Sequence, residues 1–204
     1  LASAEAHDAW IIEDDYDSEF RYRSEPLTSL QGLSDSSRVI YLGTFSKSLY
    51  PGLRLAYLVL PEPLVDAFRS THNRFYREGH YPTQAALADF IADGQFARHI
   101  RKMRGLYRQR QALLRQALAS KLGNQLKLSP GEAGLHLLAH LPQGFATAKL
   151  VEAAQKQNVW LRDIAHHYLG AAMCSGLVLG YAGVPEREIE RAGAILGQLL
   201  AESL

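Results

Sequence analysis

An α/β fold is predicted, in which a sheet domain connects through a long helical region to a smaller α+β unit. Three observations carry this reading. Short, nearly continuous apolar runs alternate with turns over the first third of the chain. Apolar residues then recur at three- and four-residue steps from about 83 to 122, and beyond 123 strand-like and helical segments alternate. The expected boundaries are 1–80 for the sheet domain, 81–122 for the helical connection and 123–204 for the small unit.

The chain opens on Leu1, not Met, inside what reads as the tail of a helix (LASAEAHDAW), so it is expected to be part of something longer. Ala9-Trp10-Ile11-Ile12 runs into Glu13-Asp14-Asp15, the pattern of a buried strand that ends at a polar edge. Residues 38–43 and 53–60 repeat that pattern, which suits a sheet covered on both faces, with its chemistry at the carboxyl ends of the strands. Pro61 and Pro63 introduce a helix reaching about Glu78, and Pro82 opens a longer helical stretch with a break at Asp93-Gly94. After Gly123-Asn124, strands are expected at 125–128, 134–141, 159–162 and 176–181, and helices at 146–157 and 185–200.

Of the 204 residues, 47% are apolar and 21% charged, the composition of a globular domain, and the net charge of +1 neither excludes DNA or an acidic ligand nor gives a reason to expect one. The single cysteine, Cys174, excludes an intrachain disulfide and fits a cytoplasmic protein. No apolar run approaches the ~18 residues of a membrane helix, no signal peptide is visible, and no metal site is expected. The stretch from Arg98 to Lys121 holds Arg101, Lys102, Arg104, Arg108, Arg110 and Arg115 and no acidic residue. It reads either as the solvated face of a helix or as a stripe able to follow a DNA backbone.

The most informative segment runs from Gly43 to Arg54, GTFSKSLYPGLR. A lysine just past a strand can condense with an aldehyde when it is positioned and partly desolvated. Arg54, Thr44 and Ser46 supply the guanidinium fork and hydroxyls that a phosphate needs. A surface loop with an exposed lysine is the plain alternative, and a bare Ser-Lys pair would not exclude it. Upstream, Glu13-Asp14-Asp15-Tyr16 offers a carboxylate able to hold a protonated pyridine nitrogen and a hydroxyl for a phenolic oxygen. Such a cluster by itself also reads as a solvated strand edge.

Residues 11–22 (IIEDDYDSEFRY) and 41–61 (YLGTFSKSLYPGLRLAYLVLP) resemble the fold-type I pyridoxal-phosphate enzymes, the aspartate aminotransferase family. Within it they resemble most the aminotransferase-like domain of MocR-subfamily, GntR-type bacterial transcription regulators. The likeness continues through YPTQAALADFIADGQFARHIRKMR, AGLHLLAHLP and LVLGYAG. It implies the C-terminal part of the pyridoxal-phosphate-binding large domain plus the small domain, with pyridoxal 5'-phosphate as cofactor. Lys47 then matches the lysine that forms the Schiff base, and Arg54 the phosphate-binding arginine. Thr44 and Ser46 fall at the hydroxyl positions, Asp14 at the partner of the pyridine nitrogen and Tyr16 at the partner of the phenolic oxygen. His136 falls at a position near the family's active site, or is a plain strand histidine.

The family's enzymes present an arginine to the α-carboxylate of an amino acid just before a tyrosine-rich stretch of the small domain. Here His166 stands at that point, and Arg162 lies four residues earlier. A histidine lacks the bidentate fork and holds a carboxylate more weakly. Two readings follow. The resemblance implies a domain that senses a small-molecule effector or amino acid, in a homodimer that reaches DNA only through an N-terminal winged helix absent from this sequence. The alternative is a working aminotransferase of the 2-aminoadipate or aromatic type, with Lys47 as proton carrier. The N-terminal half of the large domain, with its phosphate loop and ring-stacking aromatic, is also absent from the sequence.

Overall fold

The computed structural model describes residues 1–22, 27–33, 38–77, 79–123 and 125–203. The expected helix end at Glu78 and the Asn124 of the Gly-Asn turn lie outside them. The chain divides into two compact units, Leu1–Lys102 and Met103–Leu204.

In the first unit, helix α1 (Ala2–Ala6) leads into strand β1 (Ile11–Asp15). β1 pairs in parallel with β2 (Val39–Thr44), which pairs antiparallel with β3 (Ala56–Val59), giving the order β1-β2-β3. The parallel register sets Asp14 beside Leu42 and Asp15 beside Gly43; on the other side of β2, Gly43 faces Tyr57 and Thr44 faces Ala56. Val39, Ile40, Leu55 and Phe20 form the buried centre with Ile100. Helices α2 (Val65–Phe75) and α3 (Tyr81–Ala92) follow, and α4 (Gln95–Leu122) begins beyond the break at Asp93-Gly94. Gly94 ends α3 in the left-handed region, at φ 71°, where a side chain is disfavoured.

Three expectations are corrected here. The acidic residues do not follow the first strand but form its second half. Nor, among the described residues, is the sheet covered on both faces: Ile12 is 70% exposed and all four residues of β3 are exposed. Alternate residues of β1 (Ile12, Asp14) share an open face, as the two-residue period of a strand requires. The third strand is also shorter than the run 53–60, because Pro51–Leu53 close into a 3-10 turn before it.

In the second unit a four-stranded sheet has the order β4-β5-β7-β6, built from Lys127–Leu128, His136–Leu141, Ser175–Gly180 and Arg162–Asp163, all antiparallel. Helices α5 (Thr147–Lys156) and α6 (Glu186–Ala201) complete it. Leu114, Leu118 and Leu122 of α4, four residues apart, bury one stripe together with Leu137, Leu177, Leu196 and Leu200. Close approach of α6 to α4 depends on glycine: a Cβ at Gly193 would lie 2.5 Å from the Ala117 Cβ. Tyr181, fully buried, donates to the Gly134 carbonyl (2.7 Å) and accepts from Gln111 Nε2 (3.1 Å), which also reaches the Gly131 carbonyl. Strand β6 is only Arg162–Asp163, the rest of 159–162 being loop.

The basic stretch of α4 does not remain one solvated stripe. Arg110 pairs with Glu186 (2.9 Å) and donates to the Ala182 carbonyl, and Arg115 donates to the carbonyls of Ser129 and Pro130. Two of its cations thus hold the small unit together. No helix among the described residues is long and apolar enough to cross a membrane, and no cluster of side chains among them could hold a metal ion.

Candidate functional site

The parallel pairing of β1 and β2 brings the ends of both strands to one edge of the sheet. β1 ends at Asp15 and β2 at Thr44, and the Lys47 turn begins directly after it. Thr44 Oγ1 makes that turn: it accepts from the Ser46 amide (3.2 Å) and donates to Ser46 Oγ (3.1 Å). The Leu49 amide closes onto the Phe45 carbonyl (2.9 Å), leaving Lys47 exposed at the middle of the loop. A side-chain-to-backbone link of this kind is what a hydroxyl residue at a strand end offers.

Gly43, just before, leaves room for a side chain of the neighbouring strand. The Tyr57 ring lies across it, and a Cβ there would fall 2.3 Å from that ring. Arg54 follows the Pro51–Leu53 turn in the left-handed conformation (φ 52°, ψ 35°), with its side chain exposed. A non-glycine residue in that region costs of order 1–2 kcal/mol, a strain that a turn alone could have avoided with glycine.

The two aspartates of β1 have different fates. Asp15 is fully engaged: its carboxylate accepts from the Ser18 amide (3.2 Å), the Ser18 hydroxyl (2.7 Å) and the Tyr41 hydroxyl (2.7 Å). Burial and this bond to Asp15 push the Tyr41 hydroxyl well above the ordinary tyrosine range. Glu13 is engaged as well, accepting from the amides of Leu30 and Gln31. Asp14 takes the other face of the strand and is exposed, and Tyr16, just past the strand end, is exposed too. The sequence left the cluster open between a ligand site and a solvated edge. The structure divides it: Glu13 and Asp15 tie down loops, and Asp14 stays available.

The donor set fits a phosphorylated aldehyde with a basic ring nitrogen. An unencumbered amine (Lys47), a guanidinium (Arg54), hydroxyls (Thr44, Ser46), a carboxylate (Asp14) and a phenol (Tyr16) lie at or just beyond the ends of adjacent strands. They line an open sheet edge; a cavity of about 440 Å³ bounded by Leu58, Phe68 and Phe75 lies elsewhere in the first unit, and cavities of about 340 Å³ beside Trp160 and about 630 Å³ beside Phe145 and Lys149 lie in the second.

The three remaining candidates belong to the second unit. His136 opens β5, exposed, with its ring against Gly180 on β7. Arg162 opens β6 and is exposed. His166 is exposed in the 3-10 turn Ile164–His167, which the Asp163 carboxylate caps by accepting from the Ala165 amide (2.8 Å). The sequence did not reveal Asp15, Tyr41, Tyr57 or His99 as neighbours of the lysine turn. Only the strand register, and for His99 a contact across 51 residues, brings them there.

The fold, a sheet unit followed by an α+β unit, is that of the fold-type I pyridoxal-phosphate enzymes. The chain belongs to the aminotransferase class I and II family, whose profile matches residues 1–196. It is 42% identical over 187 residues to the probable rhizopine catabolism regulatory protein MocR of Rhizobium meliloti, covering 90% of this chain and 37% of that protein. To the pyridoxine biosynthesis transcriptional regulator PdxR of Corynebacterium glutamicum it is 35% identical over 188 residues, covering 91% and 40%. Among solved structures, the multiple substrate aminotransferase of Thermococcus profundus superposes with a TM-score of 0.88 at 27% identity, over 100% of this chain and 50% of that one. LysN, the α-aminoadipate aminotransferase of Thermus thermophilus complexed with N-(5'-phosphopyridoxyl)-L-leucine, gives 0.84 at 25% identity over 98% and 52%. The chain therefore spans well under half the length of these regulators and about half that of the enzymes.

Proposed function

We propose that this chain is the C-terminal half of a pyridoxal-phosphate-binding, aminotransferase-like sensing domain in a cytoplasmic GntR/MocR-type transcription regulator. The observation that carries the reading is the Lys47 turn set beyond β2, next to a β1 whose Asp14 is left free while Asp15 is consumed. The greater identity to regulators (42% and 35%) than to an aromatic-amino-acid aminotransferase (26%) supports a sensor over a catalyst.

Pyridoxal phosphate supplies an aldehyde carbon and an electron-withdrawing ring when bound. Around it, the Lys47 amine is the nucleophile for the aldehyde, and the Asp14 carboxylate holds the proton on the ring nitrogen. Arg54, with Thr44 and Ser46, neutralises and hydrogen-bonds the phosphate. Tyr16 donates to the phenolic oxygen. His166, Arg162 and His136 are the groups through which the small unit meets an effector or amino acid. An effector acts by binding one state of the domain more tightly than another. A homodimer and DNA contact through a separate winged helix complete the proposed protein.

The test is reduction of the full-length protein with borohydride in the presence of pyridoxal phosphate, followed by peptide mass analysis. A phosphopyridoxyl mass on the Lys47 peptide, lost in Lys47→Ala, is expected; label elsewhere would refute the assignment. The second reading, an active aminotransferase, draws on the similarity to solved enzymes. Sustained keto-acid-dependent turnover of amino acids by the full-length protein would establish it and overturn the weak carboxylate role given to His166.

A further inference from the structure

The turn that carries Lys47 is held to α4 at both of its shoulders. His99 places Nε2 3.0 Å from the carbonyl oxygen of Ser48. A carbonyl only accepts, so Nε2 is the nitrogen that bears the hydrogen. One helical turn earlier Phe96 meets Phe45 edge-on, ring centroids 5.9 Å apart, and Phe45 also meets Tyr57 at 5.5 Å. Phe96 and His99 are three residues apart and so share a face of the helix. Phe45 and Ser48 bracket Lys47 in sequence. Ser48 is 1% exposed and its hydroxyl has no partner among the described residues, so its side chain does not tether the turn. Its carbonyl does, through the imidazole.

We propose that His99 is a positioning residue for Lys47. By donating to the Ser48 carbonyl it fixes the peptide that follows the lysine, and with it the direction in which the amine leaves the loop. A lysine side chain is long and flexible, so where its nitrogen spends its time depends on how firmly the Cα is held. Without the donor, a part-buried carbonyl is left unpaired, and the turn relaxes to find water. The proposal rests on the reading of Lys47 as the cofactor lysine, and its test separates the two.

The comparison is between His99→Gln, which keeps an N–H at similar reach, and His99→Phe, which keeps a flat ring and removes the donor, both in the full-length protein. The readouts are the dissociation constant for pyridoxal phosphate, the fraction of Lys47 labelled after borohydride, and the thermal midpoint of cofactor-free protein. One hydrogen bond of ordinary net strength corresponds to about three- to tenfold. His99→Phe is expected to bind the cofactor weaker by that factor and to label Lys47 less at subsaturating cofactor, while His99→Gln stays within about twofold of wild type. Should His99→Phe not fold, His99→Leu is read in the same titration. Equal affinity and labelling in wild type and the donor-less variant overturns the proposal, as does an equal loss in His99→Gln, which would mean that packing and not the bond matters. A wild-type protein with no label on Lys47 overturns both the proposal and the reading beneath it; a labelled wild type beside an indifferent His99→Phe overturns the proposal alone.

Discussion

Replacing Asp15 by alanine separates the structural aspartate of β1 from the one offered to the cofactor. The substitution removes the acceptor for three donors at once: the Ser18 amide, the Ser18 hydroxyl and the Tyr41 hydroxyl. Each bond to an ionised acceptor is worth about 1.5–3 kcal/mol when buried, less where water can replace it. The Ser18 pair is part-buried and can be rehydrated, and so can Tyr41 in part, so the three together should cost about 2 kcal/mol and not their sum. That is roughly a thirtyfold rise in local opening. Amide hydrogen exchange read by mass spectrometry over residues 11–22 of the full-length protein measures it, because the Ser18 amide is itself one of the donors. Asp14→Asn should leave exchange in that segment unchanged and weaken pyridoxal phosphate by tenfold or more, on the order of a lost charge-assisted bond. Unchanged protection in Asp15→Ala, or an equal loss of protection in Asp14→Asn, would refute this division of labour.

The Tyr41 hydroxyl, raised by burial and by its bond to Asp15, stays neutral in the folded state where the unfolded chain would ionise near pH 10. Its contribution is complete below that pH and is lost as pH rises, so wild type should lose stability in alkali more steeply than Tyr41→Phe in thermal scans from pH 8 to about 11. Glu186 behaves in the opposite sense: its hydrogen bond from Arg110 holds it below the ordinary 4.5, so that contribution is present at neutral pH and fades as pH falls through the lowered value. Glu186→Gln should therefore flatten the acid limb of a Tm-versus-pH curve. In the core of the second unit, Tyr181→Phe removes the hydroxyl that donates to the Gly134 carbonyl and accepts from Gln111, and should destabilise by about 1–3 kcal/mol in denaturant titration.

The sequence carried most of the architecture because hydrophobic period and turn residues are local signals. The helix break at Asp93-Gly94 was legible from two residues, and the long helix beyond it from its three- and four-residue apolar steps. The lysine, arginine and hydroxyls of the site stood in one continuous segment, so they could be read together. Pairing could not. Which of two adjacent aspartates is free depends on the face each takes in β1 and on Tyr41, which approaches from the next strand. Arg110 and Arg115 looked like members of a solvated run because their partners, Glu186 and the 129–130 carbonyls, lie far along the chain. Ile12 looked buried because apolar character says how much a side chain prefers cover, not whether any element is laid over it.

Among the described residues strand β3 pairs on one side only and shows Leu58 and Val59 to solvent, next to a helix that leaves Phe68 and Phe75 bare. An unpaired row of amides and carbonyls with greasy neighbours is a template on which any other extended chain can zip. Handled by itself, this stretch should therefore precipitate or form soluble clumps as its concentration rises, and a lysine or proline placed at position 58 should keep it in solution. The sticky margin is a practical reason to carry out every binding measurement on the longest version of the polypeptide that can be expressed.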